Sequence, residues 1–95
     1  MANSTMETPN KITRKNSETL TIGQTYTMKS DGYVQIYNNA GSTSAIIKDV
    51  NGTQVGAISS DQQYGVNSCF VRCGMKVYAN QKSNTDSSIS INELG

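Results

Sequence analysis

From Glu18 onward, apolar and polar residues exchange places every second position in short runs, broken by clusters of Gly, Asn, Asp and Ser. A period of two marks strands with one face in a core, and such clusters mark turns. "ETLTI" (18–22) places Leu20 and Ile22 on one face, and "TYTMK" (25–29) does the same for Tyr26 and Met28. After a turn at Ser30-Asp31-Gly32, "YVQIY" (33–37) turns Val34 and Ile36 inward and leaves Tyr33 and Tyr37 together on the other face. "NNAGSTS" (38–44) is a loop by composition. "AIIKDVNGTQVGAI" (45–58) reads as a hairpin: Asn51-Gly52 between two β-rich runs predicts a two-residue type I′ turn, because both residues tolerate positive φ. That turn pairs Val50 with Thr53 and Lys48 with Val55. It gathers Ile46, Val50, Val55 and Ala57 on one face, interrupted by Lys48. "SSDQQYG" (59–65) is a further loop, and "VNSCFVRC", "MKVYA" and "SISINEL" add three strands. No stretch sustains a helical period. Seven or eight short strands predict an all-β chain, an antiparallel β-sandwich or small barrel.

Residues 1–17 differ. They are polar, hold the only proline, Pro9, and read as a flexible leader before a head domain of residues 18–95. Ser, Thr, Asn and Gln fill 38 of the 95 positions, whereas Leu, Ile, Val and Phe fill 17. An aliphatic share below about 20 % borders on the composition of disordered chains. Disorder also needs strong net charge, and +1 is not strong. A thin core in a small chain is often completed by a partner subunit, so self-association is expected. The near-zero net charge gives no electrostatic footprint for nucleic acid. Lys11, Arg14 and Lys15 lie beside Glu7 and Glu18 and read as a solvated arm. No apolar run approaches the roughly 18 residues of a membrane span, and the first ten residues lack a secretory apolar stretch. No membrane insertion is expected, and synthesis in a cytoplasm is.

The chain has no histidine, which removes the usual general base and the commonest metal ligand. Its seven carboxylates fall mostly in turns or at strand ends. No glycine-rich loop leads into a lysine and a helix, so no nucleotide or other cofactor is expected. The chain reads as a non-enzyme. Cys69 and Cys73, four apart on one strand, would sit roughly 13 Å from each other, too far for a disulfide unless a turn or bulge intervenes. Two thiols are too few for a zinc site in one chain. They read as buried and unreactive, the alternative being a thiol or metal cluster gathered by a threefold axis.

"GQTYTMKSDGYVQIY" resembles a segment of the small β-sandwich head domains of phage tail fibres and related receptor-binding proteins. "AIIKDVNGTQVG" is similar to a hairpin of those domains, and "FVRCGMKVYA" to the segment after it; the resemblance covers about residues 18–94. Members often carry a proline in the segment matching Met28-Lys29-Ser30, where this chain has none. The resemblance implies a jelly-roll-like homotrimer, made in a bacterial host cytoplasm and virion-associated, that binds a cell-surface glycan or protein. Trimer contacts would then use Tyr33, Tyr37, Phe70 and Tyr78. Ligand contacts would come from loops holding Asn38, Asn39, Asp61, Gln62, Gln63 and Tyr64, since a sugar needs a flat aromatic surface with amide and carboxylate partners. Tyr64 would be the stacking platform, or else a buried cap on the sandwich edge. The rival reading is structural: a capsid-decorating or tail-assembly protein that contacts other virion proteins and has no host ligand.

Overall fold

The period-two segments become eight strands: β1 (Arg14–Thr19), β2 (Thr25–Thr27), β3 (Gly32–Asn38), β4 (Thr43–Lys48), β5 (Gln54–Ser60), β6 (Gly65–Val71), β7 (Lys76–Lys82) and β8 (Ser88–Leu94). The structure is a computed structural model that describes residues 14–94. The strands form two four-stranded antiparallel sheets, ordered β1-β8-β3-β6 and β2-β7-β4-β5. Among the described residues there is no helix. Pairing is nested: β4 with β5, β3 with β6, β2 with β7, and β1 with β8. The chain thus runs like one long hairpin folded over into two layers. Only the β4–β5 connection stays within a sheet; each of the others crosses between layers.

One core fills the gap between the sheets. Val34 and Ile36 of β3 and Ile89 and Ile91 of β8 meet Ala45 and Ile47 of β4 and Val77 and Ala79 of β7. Leu20, Tyr26 and Met28 close one side, with Ile58 and Val71 completing the cluster. The strict alternation of β3, buried at every second residue from Gly32 to Asn38, supplies the most regular part of it. Burying side chains of this size contributes about 1.5–3 kcal/mol each, before the cost of ordering the chain.

The hairpin departs from the sequence expectation. Its turn is not the type I′ form. Gly52 N–H donates to Asp49 C=O at 3.0 Å, and Asp49 N–H to Thr53 C=O at 2.8 Å. Gly52 has φ 89° and Asn51 has no positive φ. This is a three-residue loop: a type I turn followed by a left-handed glycine. The Asp49 carboxylate fixes it, with Oδ1 accepting the N–H groups of Asn51 and Thr53, each at 2.9 Å. Lys48 therefore lies opposite Gln54, not Val55, and the pairing shifts between Ile47 and Lys48. Val55 is the extra residue of that bulge, on the outward face with Ala57 and Ser59. Ala45, Ile47 and Ile58 face the core, while Val50 and Val55 are exposed. Beyond Val55 the bulge cancels the added loop residue: Ile46 lies opposite Ala57 as expected, the two sharing the outer face while their neighbours Ala45, Ile47 and Ile58 fill the core.

Three smaller expectations also change. Ile22 does not share the core with Leu20: it stands exposed in the turn where Gln24 N–H bonds Thr21 C=O. The cysteines are not both buried. Cys69 packs partly against the core, whereas Cys73 is an exposed free thiol in the turn after β6. Glu93 is almost wholly buried on the inner face of β8, where its carboxylate accepts the Lys29 N–H at 2.6 Å. β1 begins at Arg14, four residues before the expected start of the head domain. Residues 1–13, with most of the expected leader and with Lys11 of the basic arm, lie outside the described residues.

Candidate functional site

Three connections meet at one end of the sandwich: residues 39–42 between β3 and β4, 61–64 between β5 and β6, and 83–87 between β7 and β8. Asn38 ties the first two together. Its Nδ2 donates to Gly41 C=O at 3.0 Å and to Gln62 C=O at 2.9 Å, and its Oδ1 accepts the Thr43 hydroxyl at 2.8 Å. Both Asn38 and Thr43 are fully buried. Asn38 is thus a clamp that shapes the loops, and it presents no surface to a ligand. Asn39 joins the third loop, its N–H donating to Ser87 Oγ at 2.9 Å and its Nδ2 lying 3.4 Å from Asp86 Oδ2. Ser83 N–H bonds Ser42 C=O at 2.9 Å.

The clamped 61–64 loop carries Tyr64 outward. The residue is 66 % exposed, which removes the alternative of a buried cap. Tyr64 has φ 61° and is the one non-glycine residue with positive φ among the described residues. The reason is local: Gly65 N–H closes a turn onto Gln62 C=O at 3.1 Å, and the third position of such a turn is left-handed, a place usually taken by glycine or asparagine. A Cβ at Gly65 would meet Ser60 Oγ and crowd Gln62 C=O, so a side chain there requires Ser60 to turn away. Gln62, Gln63 and Asp61 are all exposed beside it.

Next to this loop lies an open polar cleft of about 370 Å³, lined by Ser42, Thr43, Ser44, Ser59, Ser60, Asp61 and Gln81. Register explains it. Ser44 stands directly opposite Ser59 on one side and Gln81 on the other, forming a polar row across β5, β4 and β7. The pairing of β4 with β7 shifts just beyond, at Asn80, whose Nδ2 donates to Ser44 Oγ at 2.9 Å.

The residues expected at a subunit contact divide between two faces. On the outer face of the first sheet, Tyr33 lies directly opposite Phe70, and Tyr37 opposite Val66. Phe70 and Val66 are 56 % and 61 % exposed. Tyr78 is on the second sheet, opposite Ile46 and Thr25, with Lys48 Nζ 5.1 Å from its ring centroid. The sandwich separates it from the other three.

Comparison with protein-family models, curated proteins and solved structures finds no match. The geometry alone therefore ranks the candidates. Of the six loop residues expected to touch a ligand, Asp61, Gln62, Gln63 and Tyr64 share one exposed loop, Asn39 sits across from it, and Asn38 is inside. Sequence reasoning missed Ser42, Ser44, Ser59, Ser60 and Gln81. Small polar residues on strands carry no signal of their own, and only the register of β4 with β5 and β7 gathers them.

Proposed function

We propose that this chain is a non-enzymatic binding module that recognises a cell-surface glycan through the 61–64 loop, in the manner of the phage fibre heads it resembles. The nested strand order supports the jelly-roll form of that reading, since a hairpin rolled into two sheets is the jelly-roll scheme. The observation that carries the function is Tyr64. A bulky residue held left-handed costs roughly 1–2 kcal/mol relative to an ordinary conformation, and here the residue that bears that cost is mostly exposed. Exposed aromatic faces flanked by amide and carboxylate groups are suited to stacking on the C–H face of a sugar ring. The test is a glycan array read with wild type and Tyr64→Ala, alongside their melting temperatures. The reading expects binding that Tyr64→Ala abolishes while the melting temperature stays within about two degrees, the shift of a fraction of a kcal/mol. Failure of the wild type to bind any glycan would sink it.

The structural reading keeps one specific support: the aromatic and aliphatic outer face of Tyr33, Tyr37, Val66 and Phe70. A module that assembles on a virion as a homotrimer would cover that face, with or without a host ligand. Tyr78, on the opposite sheet and under Lys48, does not belong to that contact. A virion pull-down beside the glycan array separates a purely structural protein from a receptor-binding one.

A further inference from the structure

The cleft of Ser42, Ser44, Ser59, Ser60, Asp61 and Gln81 opens beside the loop that carries Tyr64. Its volume of about 370 Å³ falls at the small end of the roughly 300–1,000 Å³ typical of small-molecule sites. Such sites are mostly apolar, and this one is lined by hydroxyls, an amide and a carboxylate. That lining suits a ligand whose own surface is mostly hydroxyl. Several of its groups are available. Ser44 Oγ accepts a hydrogen bond from Asn80, which leaves its O–H to donate elsewhere. Among the described residues, no intramolecular hydrogen bond involves the Asp61 carboxylate or the hydroxyls of Ser42 and Ser59. Lys and Arg are absent from the lining, so nothing there neutralises an anionic ligand, and Asp61 would repel one.

We propose that this cleft is a subsite for one neutral sugar ring, with Asp61 accepting hydrogen bonds from ring hydroxyls and Gln81, Ser44 and Ser59 pairing with the rest. The inference rests on the glycan-binding reading and narrows it to uncharged saccharides. Asp61 links the two parts of the site: it lines the cleft and belongs to the loop that presents Tyr64. A hydrogen bond from a hydroxyl to a carboxylate is stronger than one between neutral partners. Removing the charge at Asp61 should therefore reduce affinity more than trimming any single serine.

The experiment is a glycan array of neutral oligosaccharides beside sialylated, sulfated and free-amine glycans, followed by calorimetric titration of the best neutral binder. Wild type, Asp61→Asn, Gln81→Ala and Tyr64→Ala would be compared, each with its melting temperature. The expected result is preference for neutral glycans, with Asp61→Asn weakening affinity by about ten- to a hundredfold at unchanged melting temperature. Preference for acidic glycans or for cationic, free-amine sugars would overturn the inference and leave the binding reading standing. So would a neutral binder lost in Tyr64→Ala but unaffected by Asp61→Asn and Gln81→Ala. A wild type that binds nothing on the array would overturn both.

Discussion

Two residues of the loop end illustrate how one polar neighbourhood divides its work. Asn38 is spent on the fold: its three hydrogen bonds, to Gly41, Gln62 and Thr43, hold two loops in place from a buried position. Asn38→Ala leaves two carbonyls and a hydroxyl without their partner, and each such buried group costs about 1–3 kcal/mol. A loss of about 2–4 kcal/mol in chemical denaturation is expected, and a change below 1 kcal/mol would mean that water replaces the clamp. Tyr64 behaves oppositely. Tyr64→Gly removes the left-handed strain of about 1–2 kcal/mol and adds about 0.5–1 kcal/mol of backbone entropy cost. The melting temperature should stay level or rise by a few degrees, while glycan binding is lost. A marked fall would show that the ring packs on the protein. The sequence placed Tyr64, Asp61, Gln62 and Gln63 correctly on one loop, because they are neighbours in the chain. It could not separate Asn38 from Asn39: adjacent asparagines at a strand end look alike until alternation assigns one to each face.

At the scale of elements, legibility followed period. β3 was readable residue by residue, since Val34 and Ile36 alternate with Tyr33, Gln35 and Tyr37 over an unbroken run. The β4–β5 hairpin was readable as a hairpin and in the register of its body, but not at its tip, where the turn held by Asp49 adds a loop residue and Val55 a bulge. Each device shifts the pairing by one and the two cancel, so the change is confined to the tip and Ile46 still lies opposite Ala57. The turn makes a sharp prediction. Gly52 is left-handed with open space around its missing Cβ, so Gly52→Val carries a purely conformational cost of about 1–3 kcal/mol. Asn51 has ordinary φ, so Asn51→Ala should change stability by less than about 0.5 kcal/mol. In a type I′ turn both positions would be left-handed and both variants would suffer. Thermal melts of the pair decide between the two turns.

For the whole molecule, the open question is what meets the outer face of the first sheet. Of the exposed large apolar residues, Val66 and Phe70 stand on that face, while Val55 lies on β5 of the other sheet and Ile22, Val50 and Tyr64 in turns. The directly opposed pairs Tyr33–Phe70 and Tyr37–Val66 lie on β3 and β6, and β6 is the edge strand. Paired side chains of this kind contribute about 0.2–1 kcal/mol within a sheet, so trimming one disturbs the monomer little. Burying the same side chains against another subunit yields more, and a carboxylate placed there must lose its water without a partner. Phe70→Asp should therefore leave a folded protein with a small drop in melting temperature and separate the proposed trimer into monomers. Light scattering coupled to size exclusion reads this directly, as about three chain masses for wild type and one for the variant. Tyr78→Asp is the control, since that ring lies on the opposite sheet beneath Lys48. It should lose the cation–π contact, worth about 0.5–1 kcal/mol at an exposed position, and keep the wild-type mass. A monomeric wild type at micromolar concentration would refute the trimer outright. A trimer dissolved by Tyr78→Asp and untouched by Phe70→Asp would move the contact to the second sheet.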